Sequence, residues 1–312
     1  MASAFTNMDL VRLAKFAAEG FRRGIPALEA ISTKFEDGVG EKGCIVKIPY
    51  VDITASAQTP DADSGYTFSK IGAKGIDVSI TNTIGFPGEL PFWDVAKAGG
   101  IESLGSYIAQ MAGKVALGLW SKIEVEFKKS TNTKEITSST FDADDVIDLA
   151  GACADKDWPL DGRALVLSTA LATQLKKDPA LKNASALGSD DVIREGKIGR
   201  LGGFDVYEQP GIGTTSDKVL GYIVHKSALA LGTKLVQPPI PAASDKAQLR
   251  DVLVDPNGSG LNFVLRTYQQ QNPEITRQIL ELFYGMSALN PAALFVIKEK
   301  TTADAGGGTG SN

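Results

Sequence analysis

A single histidine, His225, stands in 312 residues, which removes any metal centre built on several imidazoles. The two cysteines, Cys44 and Cys153, lie in segments of different kinds, so neither a disulfide framework nor a cysteine zinc site is available. No apolar run is long enough to cross a bilayer, and no basic-then-apolar pattern with a cleavage site opens the chain. The expectation is a protein made in a cytoplasm, with no membrane partner. Basic residues are in the minority: 32 Lys and Arg face 37 Asp and Glu, for a formal charge of −5 without a polybasic run. Nonspecific nucleic-acid binding by the fold as a whole is thereby disfavoured.

Catalytic motifs are missing too. No nucleophile elbow accompanies His225, so a Ser-His-Asp triad has no supporting context. Gly196, Gly199, Gly202 and Gly203 match neither a Walker loop nor a dinucleotide fingerprint. A strand pattern through Phe204, Val206 and Tyr207 follows them where a phosphate site needs a helix, so they read as a turn entering a strand. Asp142, Asp144, Asp145 and Asp148 lack the spacing of a cation loop and suit a helix N-terminus capped by Asp142. No enzyme constellation, cofactor site or metal site is expected.

What the chain does have is ordinary globular composition, 43% hydrophobic and 22% charged, over a length that builds two subdomains or one elaborated domain. The longest helical rhythm runs from Ile101 to Phe127. Ile101, Leu104, Ile108, Met111, Val115, Leu119, Ile123 and Phe127 fall on one side of a rod roughly 40 Å long. Gly105, Gly113 and Gly118 weaken it, so packing must hold it along its length. Upstream, Ala4–Phe21 is an amphipathic helix, with Phe5, Leu13 and Phe16 on its apolar face and a second short helix after Pro26. An apolar helix ahead of the compact part reads either as a docking arm or as an N-terminal core helix.

From Gly43 the period becomes two. Cys44–Thr54 is a strand, Ala55–Gly65 a loop tip, and Tyr66–Lys70 with Gly75–Ile84 the returning strand, making a long hairpin that needs a partner. Phe86 to Trp93 is an aromatic and proline-rich joint into the rod. Beyond the rod, Lys128–Thr140 is a polar connector, Asp142–Ala154 a helix, Ala164–Leu167 a strand and Ser168–Lys177 a helix. Tyr222–His225 is a strand, Ala228–Leu231 a short helix, and Leu261–Gln270, Glu274–Met286 and Ala293–Ile297 are strands. Thr301–Asn312 is a glycine-rich tail. The fold class is α+β.

The order arm, hairpin, rod and mixed domain resembles the major capsid proteins of tailed phages, the Hong Kong ninety-seven-like capsid fold. The specific stretch is Trp158–Gly211: Trp158-Pro159-Leu160-Asp161-Gly162-Arg163 leads into a strand and a short helix, and Gly196-Lys197-Ile198-Gly199-Arg200-Leu201-Gly202-Gly203-Phe204-Asp205-Val206 into another strand. The resemblance implies an N-terminal arm over 1–43, an extended loop over 44–92 and a peripheral domain with a spine helix over 93–140. It implies further an axial domain over 141–260, return strands over 261–300 and a flexible tail over 301–312. The implied function is self-assembly into the icosahedral head around a double-stranded DNA genome, with the protein located in the virion. An encapsulin-type compartment shell is the first alternative; a soluble α+β enzyme or ligand-binding protein is the second.

Implied partners are the chain itself, in hexamers and pentamers, and portal and scaffolding proteins; packaged DNA is contacted only weakly. No long N-terminal extension is present to act as a built-in scaffold, which points to a separate one. Phe5, Leu13, Phe16, Tyr66, Phe68, Lys70, Lys74, Phe86 and Trp93 are the interface candidates. Lys70 and Lys74 lie where some relatives link subunits covalently, but no partner residue is identified and no such chemistry is assigned.

Overall fold

A computed structural model describes residues 7–41, 43–52, 72–91, 101–178, 197–213, 218–236, 248–254, 260–269 and 275–300. In chain order, helix α1 (Asn7–Gly24) and a 3-10 turn (Pro26–Ala30) precede strands β1 (Ser32–Gly40), β2 (Ile45–Asp52), β3 (Gly72–Ser79) and β4 (Asn82–Pro91). Helix α2 (Ile101–Phe127), β5 (Thr133–Ile136), α3 (Ala143–Ala154), β6 (Arg163–Leu167) and α4 (Thr169–Lys177) follow. The remainder is β7 (Lys197–Leu201), β8 (Phe204–Glu208), β9 (Val219–His225), β10 (Leu229–Val236), β11 (Gln248–Leu253), β12 (Phe263–Gln269), β13 (Ile275–Ala288) and β14 (Leu294–Glu299).

These elements form two compact units. The first holds Met1–Ala18, Ser32–Ala112 and Leu229–Leu289; the second holds Glu19–Ile31, Gly113–Ala228 and Asn290–Asn312. This division cuts across the expected domain limits, because 229–260 joins the extended loop and the return strands, while 113–140 joins the segment that follows it.

In the first unit, β13 organises a six-stranded sheet of order β1-β10-β13-β12-β11, with β4 paired to β13. Residues Ile275–Tyr284 of β13 pair with Pro91–Asn82, so β4 covers one edge of the strand. Its other edge is shared end to end: Thr276–Glu281 meet β12, and Tyr284–Ala288 meet β10. The proline-rich joint at Phe86 is therefore an outer strand, a place where Pro87 and Pro91 are tolerated because one side of the backbone makes no ladder bond. The helix expected at Ala228–Leu231 is instead the start of β10, whose residues Leu229–Leu235 are almost all buried. Helix-favouring Ala and Leu yield here to strand partners on both sides, β1 and β13.

In the second unit a six-stranded sheet runs β5-β14-β9-β6-β8-β7, with β6 and β8 parallel. β7 and β8 are joined by Gly202 and Gly203, with φ of +56° and +86°. Two left-handed positions in a two-residue loop make a type I′ hairpin turn, and glycine enters both without penalty. Asp142 caps α3, accepting from the Asp144 and Asp145 amides, while the Asp145 carboxylate accepts from the Asp142 amide. The Ser168 hydroxyl caps α4 through the Leu171 amide.

Of the rod's eight periodic residues, the seven with described side chains are at most 6% exposed. Two of its glycines, Gly105 and Gly113, are points of approach. In the first unit a Cβ at Gly105 would run into the Phe16 ring of α1; in the second, a Cβ at Gly24 would stand 2.7 Å from the Ala116 Cβ and 2.8 Å from the Gly113 carbonyl.

Candidate assembly surfaces

The N-terminal helix is not an arm over its described length. Leu13, Ala14, Ala17, Ala18 and Phe21 are all buried, as are Ile25, Ala27, Ala30 and Ile31 after it. In the second unit the completely buried Gln209 fastens this region: its side-chain amide donates to the carbonyls of Gly24 and Pro210, and its oxygen accepts from the Ala27 amide. The Tyr207 hydroxyl donates to Glu29 at 3.0 Å, and burial, then that carboxylate, pushes the phenol pKa up. Leu13 is thus corrected as an interface candidate, since a side chain with no exposed surface has none to offer a neighbour. Phe16 is half-buried against Gly105. Neither tether is legible in the sequence, where a lone Gln after a strand carries no signal.

The hairpin has a covered base. β2 and β3 pair from Ile45↔Ser79 to Asp52↔Gly72, which sets Val46 opposite Val78 and Ile48 opposite Ile76 on one face. Val46, Ile48, Val78 and Ile80 bury themselves against Ala230 and Val236, with Phe283 and Leu289 at the margin. The seat beneath them is glycine. Gly232 of β10 lies directly opposite Gly285 of β13. A Cβ on Gly232 would stand 3.2 to 3.4 Å from Val46, Val78 and Ile80, and one on Gly285 would collide with the Ser79 carbonyl. The partner required at the base is therefore the chain's own sheet.

Phe86, in β4, is 37% exposed and remains available. Lys74 sits in β3 opposite Tyr50, with nothing described of its side chain. Phe5, Tyr66, Phe68, Lys70 and Trp93 lie outside the described residues, as does the loop tip over 55–65.

His225 is held as a neutral ring. Its Nε2 donates to the Asp161 carbonyl at 3.0 Å, which leaves Nδ1 to accept from the Ser227 amide at 3.2 Å and hydroxyl at 2.7 Å. Desolvation lowers its pKa first, and the Arg163 and Lys226 charges lower it further, against the pull of the Asp161 carbonyl. Arg163 donates to the carbonyls of Trp158 and Pro159, and the Trp158 indole to that of Ala292. The stretch Trp158–Arg163 is thus a turn braced by the Trp158 indole and the Arg163 guanidinium. In the first unit a groove of about 420 Å³ is lined by Pro87, Tyr268 and Ile279, and its Glu89 and Arg277 pair with each other. Among the described residues no group of three or more His, Cys, Asp or Glu is placed to hold a metal ion, and no helix is long and apolar enough to cross a membrane.

With both units described, the architecture is of the α+β class. The virus-like particle of Pyrococcus furiosus has this fold: its chain is 11% identical, with a TM-score of 0.50 over 92% of this chain and 97% of that one. Structural likeness extends to the capsid of cyanophage P-SCSP1u, at 12% identity and a TM-score of 0.48 over 88% and 87% of the two chains. A chain of Mycobacterium phage Che8 is 20% identical, with a TM-score of 0.47 over 83% and 88%. The sequence matches no model of a known protein family and no curated protein.

Proposed function

We propose that this chain is the major capsid protein of a tailed phage, assembling through hexamers and pentamers into an icosahedral head around double-stranded DNA. The observation that carries the reading is the fold, shared over nearly its whole length with a chain that builds a virus-like particle. In this reading the first unit, with the hairpin and its seat, is the peripheral part, and the second unit, with the β6-centred sheet, the axial part. The hairpin beyond its seat reaches neighbouring subunits, with Phe86, Tyr66, Phe68, Lys70 and Lys74 as contact candidates. Portal and scaffolding proteins are the further partners, and the virion is the location. In this reading the chain is a structural protein with no catalytic role.

The same likeness favours one second reading, a shell that encloses proteins instead of a genome. Negative-stain imaging with light scattering of the purified chain, alone and with a scaffolding partner, is the first test; closed particles, rings or hexameric sheets are expected. The absorbance ratio and protein content of the particles separate a genome from enclosed proteins. Removal of residues 55–74 should leave a folded subunit that builds no stable shell. An inert monomer under every condition, or loss of the subunit fold in that deletion, refutes the assignment.

A further inference from the structure

One side of the sheet in the first unit is almost wholly apolar. Leu253 of β11, Phe263 and Leu265 of β12, and Leu280 and Leu282 of β13 have no exposed surface, and the strand period of two sets them all on that side. A polar row crosses it. Gly88, Gln278 and Thr267 are direct partners on the neighbouring strands β4, β13 and β12, so their side-chain positions form a line across the sheet. The Tyr107 hydroxyl of α2 occupies the place that a side chain on Gly88 would take. Asp251 of β11 opposes Leu265 and is therefore the diagonal neighbour of Thr267.

The inner part of the row is sealed, since Asp251, Thr267 and Gln278 are at most 5% exposed. Among the described residues neither the Thr267 hydroxyl nor the Gln278 side-chain carbonyl has a hydrogen-bond partner, although the two residues stand opposite each other one strand spacing of about 4.8 Å apart. Neighbouring oxygens left in this way are costly in an interior, and they mark the place of a guest that the chain does not itself supply. A water could donate to either oxygen. The carboxylate of Asp251 on the same side favours a cation instead. The arginines next to the row, Arg266 and Arg277, alternate onto the opposite side of the sheet, where Glu281 and Glu89 pair with them.

We propose that the inner side of this sheet binds a hard cation of single charge, sodium or potassium, between the Thr267 hydroxyl and the Gln278 carbonyl oxygen, with Asp251 as the balancing charge. Every group offered is an oxygen, with no sulfur or imidazole in the row, and that donor set suits hard cations over transition metals. Two neutral ligands and one carboxylate match a single positive charge. A divalent ion would leave uncompensated charge in an apolar interior. Tyr107 is half-buried and stands over the outer strand β4, next to Gln278 in the row, which makes its hydroxyl the way in for the ion. The inference goes beyond the shell reading and holds for the subunit whether or not it assembles.

The test is urea denaturation of dispersed full-length subunits in sodium chloride, potassium chloride or choline chloride at one ionic strength. The midpoint should be higher in sodium or potassium than in choline, with the unfolding constant lowered about tenfold when the salt is at about ten times its dissociation constant. Thr267→Val keeps the branched shape, removes the oxygen and should abolish this difference without loss of stability in choline. Thr233→Val is the control: its hydroxyl is also buried and unpartnered, but it stands opposite Tyr284, about 20 Å along β13 from Gln278, and the variant should keep the difference. Equal midpoints in the three salts, a Thr267→Val shift of one size in all of them, or loss of the difference in both variants would each overturn the inference. A crystal structure of the wild type grown in the stabilising salt reads the site directly, whatever the variants do. An atom with about six oxygen neighbours between Thr267 and Gln278 is expected; a water with about two to four hydrogen-bond partners in its place overturns the inference.

Discussion

Replacing Gly285 by alanine tests whether the hairpin is seated by glycine. The added Cβ would meet the Ser79 carbonyl far inside contact distance and the Val78 Cγ1 at 2.9 Å. The backbone of β3 must then withdraw by several tenths of an ångström to about 1 Å. That movement opens a cluster in which Val46, Val78 and Ile80 are at most 1% exposed. Overpacking of this kind costs about 1–3 kcal/mol. Gly75, in the same hairpin, has nothing within 4 Å of its Cβ position and is the matched control. Urea denaturation of the subunit should show G285A destabilised by that amount and G75A unchanged or slightly stabilised. Hydrogen exchange should accelerate at Val46–Ile48 and Val78–Ile80 in G285A alone. If the two variants unfold and exchange alike, the hairpin does not rest on this sheet through its glycines.

Gln209→Ala should cost about 2–4 kcal/mol in the same denaturation assay, because it strands the Ala27 amide and the Gly24 carbonyl in a buried site. The lowered pKa of His225 means that the unfolded chain takes up the proton first. Stability is therefore complete above the unfolded value of 6.5 and declines as pH falls below it, until the folded ring itself titrates. Denaturation at a series of pH values should show this decline in the wild type, and the part due to His225 should vanish in His225→Asn; an unchanged profile in that variant refutes the bracing role given to the neutral ring.

Local signals carried the helices. The α2 limits follow from its three- and four-residue rhythm, and the α3 start follows from Asp142, since both depend on neighbours in sequence. What escaped depends on partners far away. β1 reads as polar because Lys34, Glu36 and Asp37 interrupt any alternation, and it is a strand only beside β10, nearly two hundred residues on. The same distance hid the nature of β10 and of Phe86 in β4. For the surfaces, the hairpin was legible but its seat was not, because two isolated glycines acquire meaning only when Gly232 and Gly285 fall opposite one another. The glycines of α2 likewise read as defects until α1 was laid against them.

The dependence on β13 also sets a clock. β4 and β1 leave the ribosome early, yet their partners in the sheet end at Ala288 and Val236. At about 5–20 residues per second, the roughly two hundred residues between β4 and the end of β13 take about 10–40 s to appear. Until then the hairpin has no seat and the first unit no sheet. A truncated or unfinished chain therefore lacks both the seat and the sheet, however much of the hairpin it already carries.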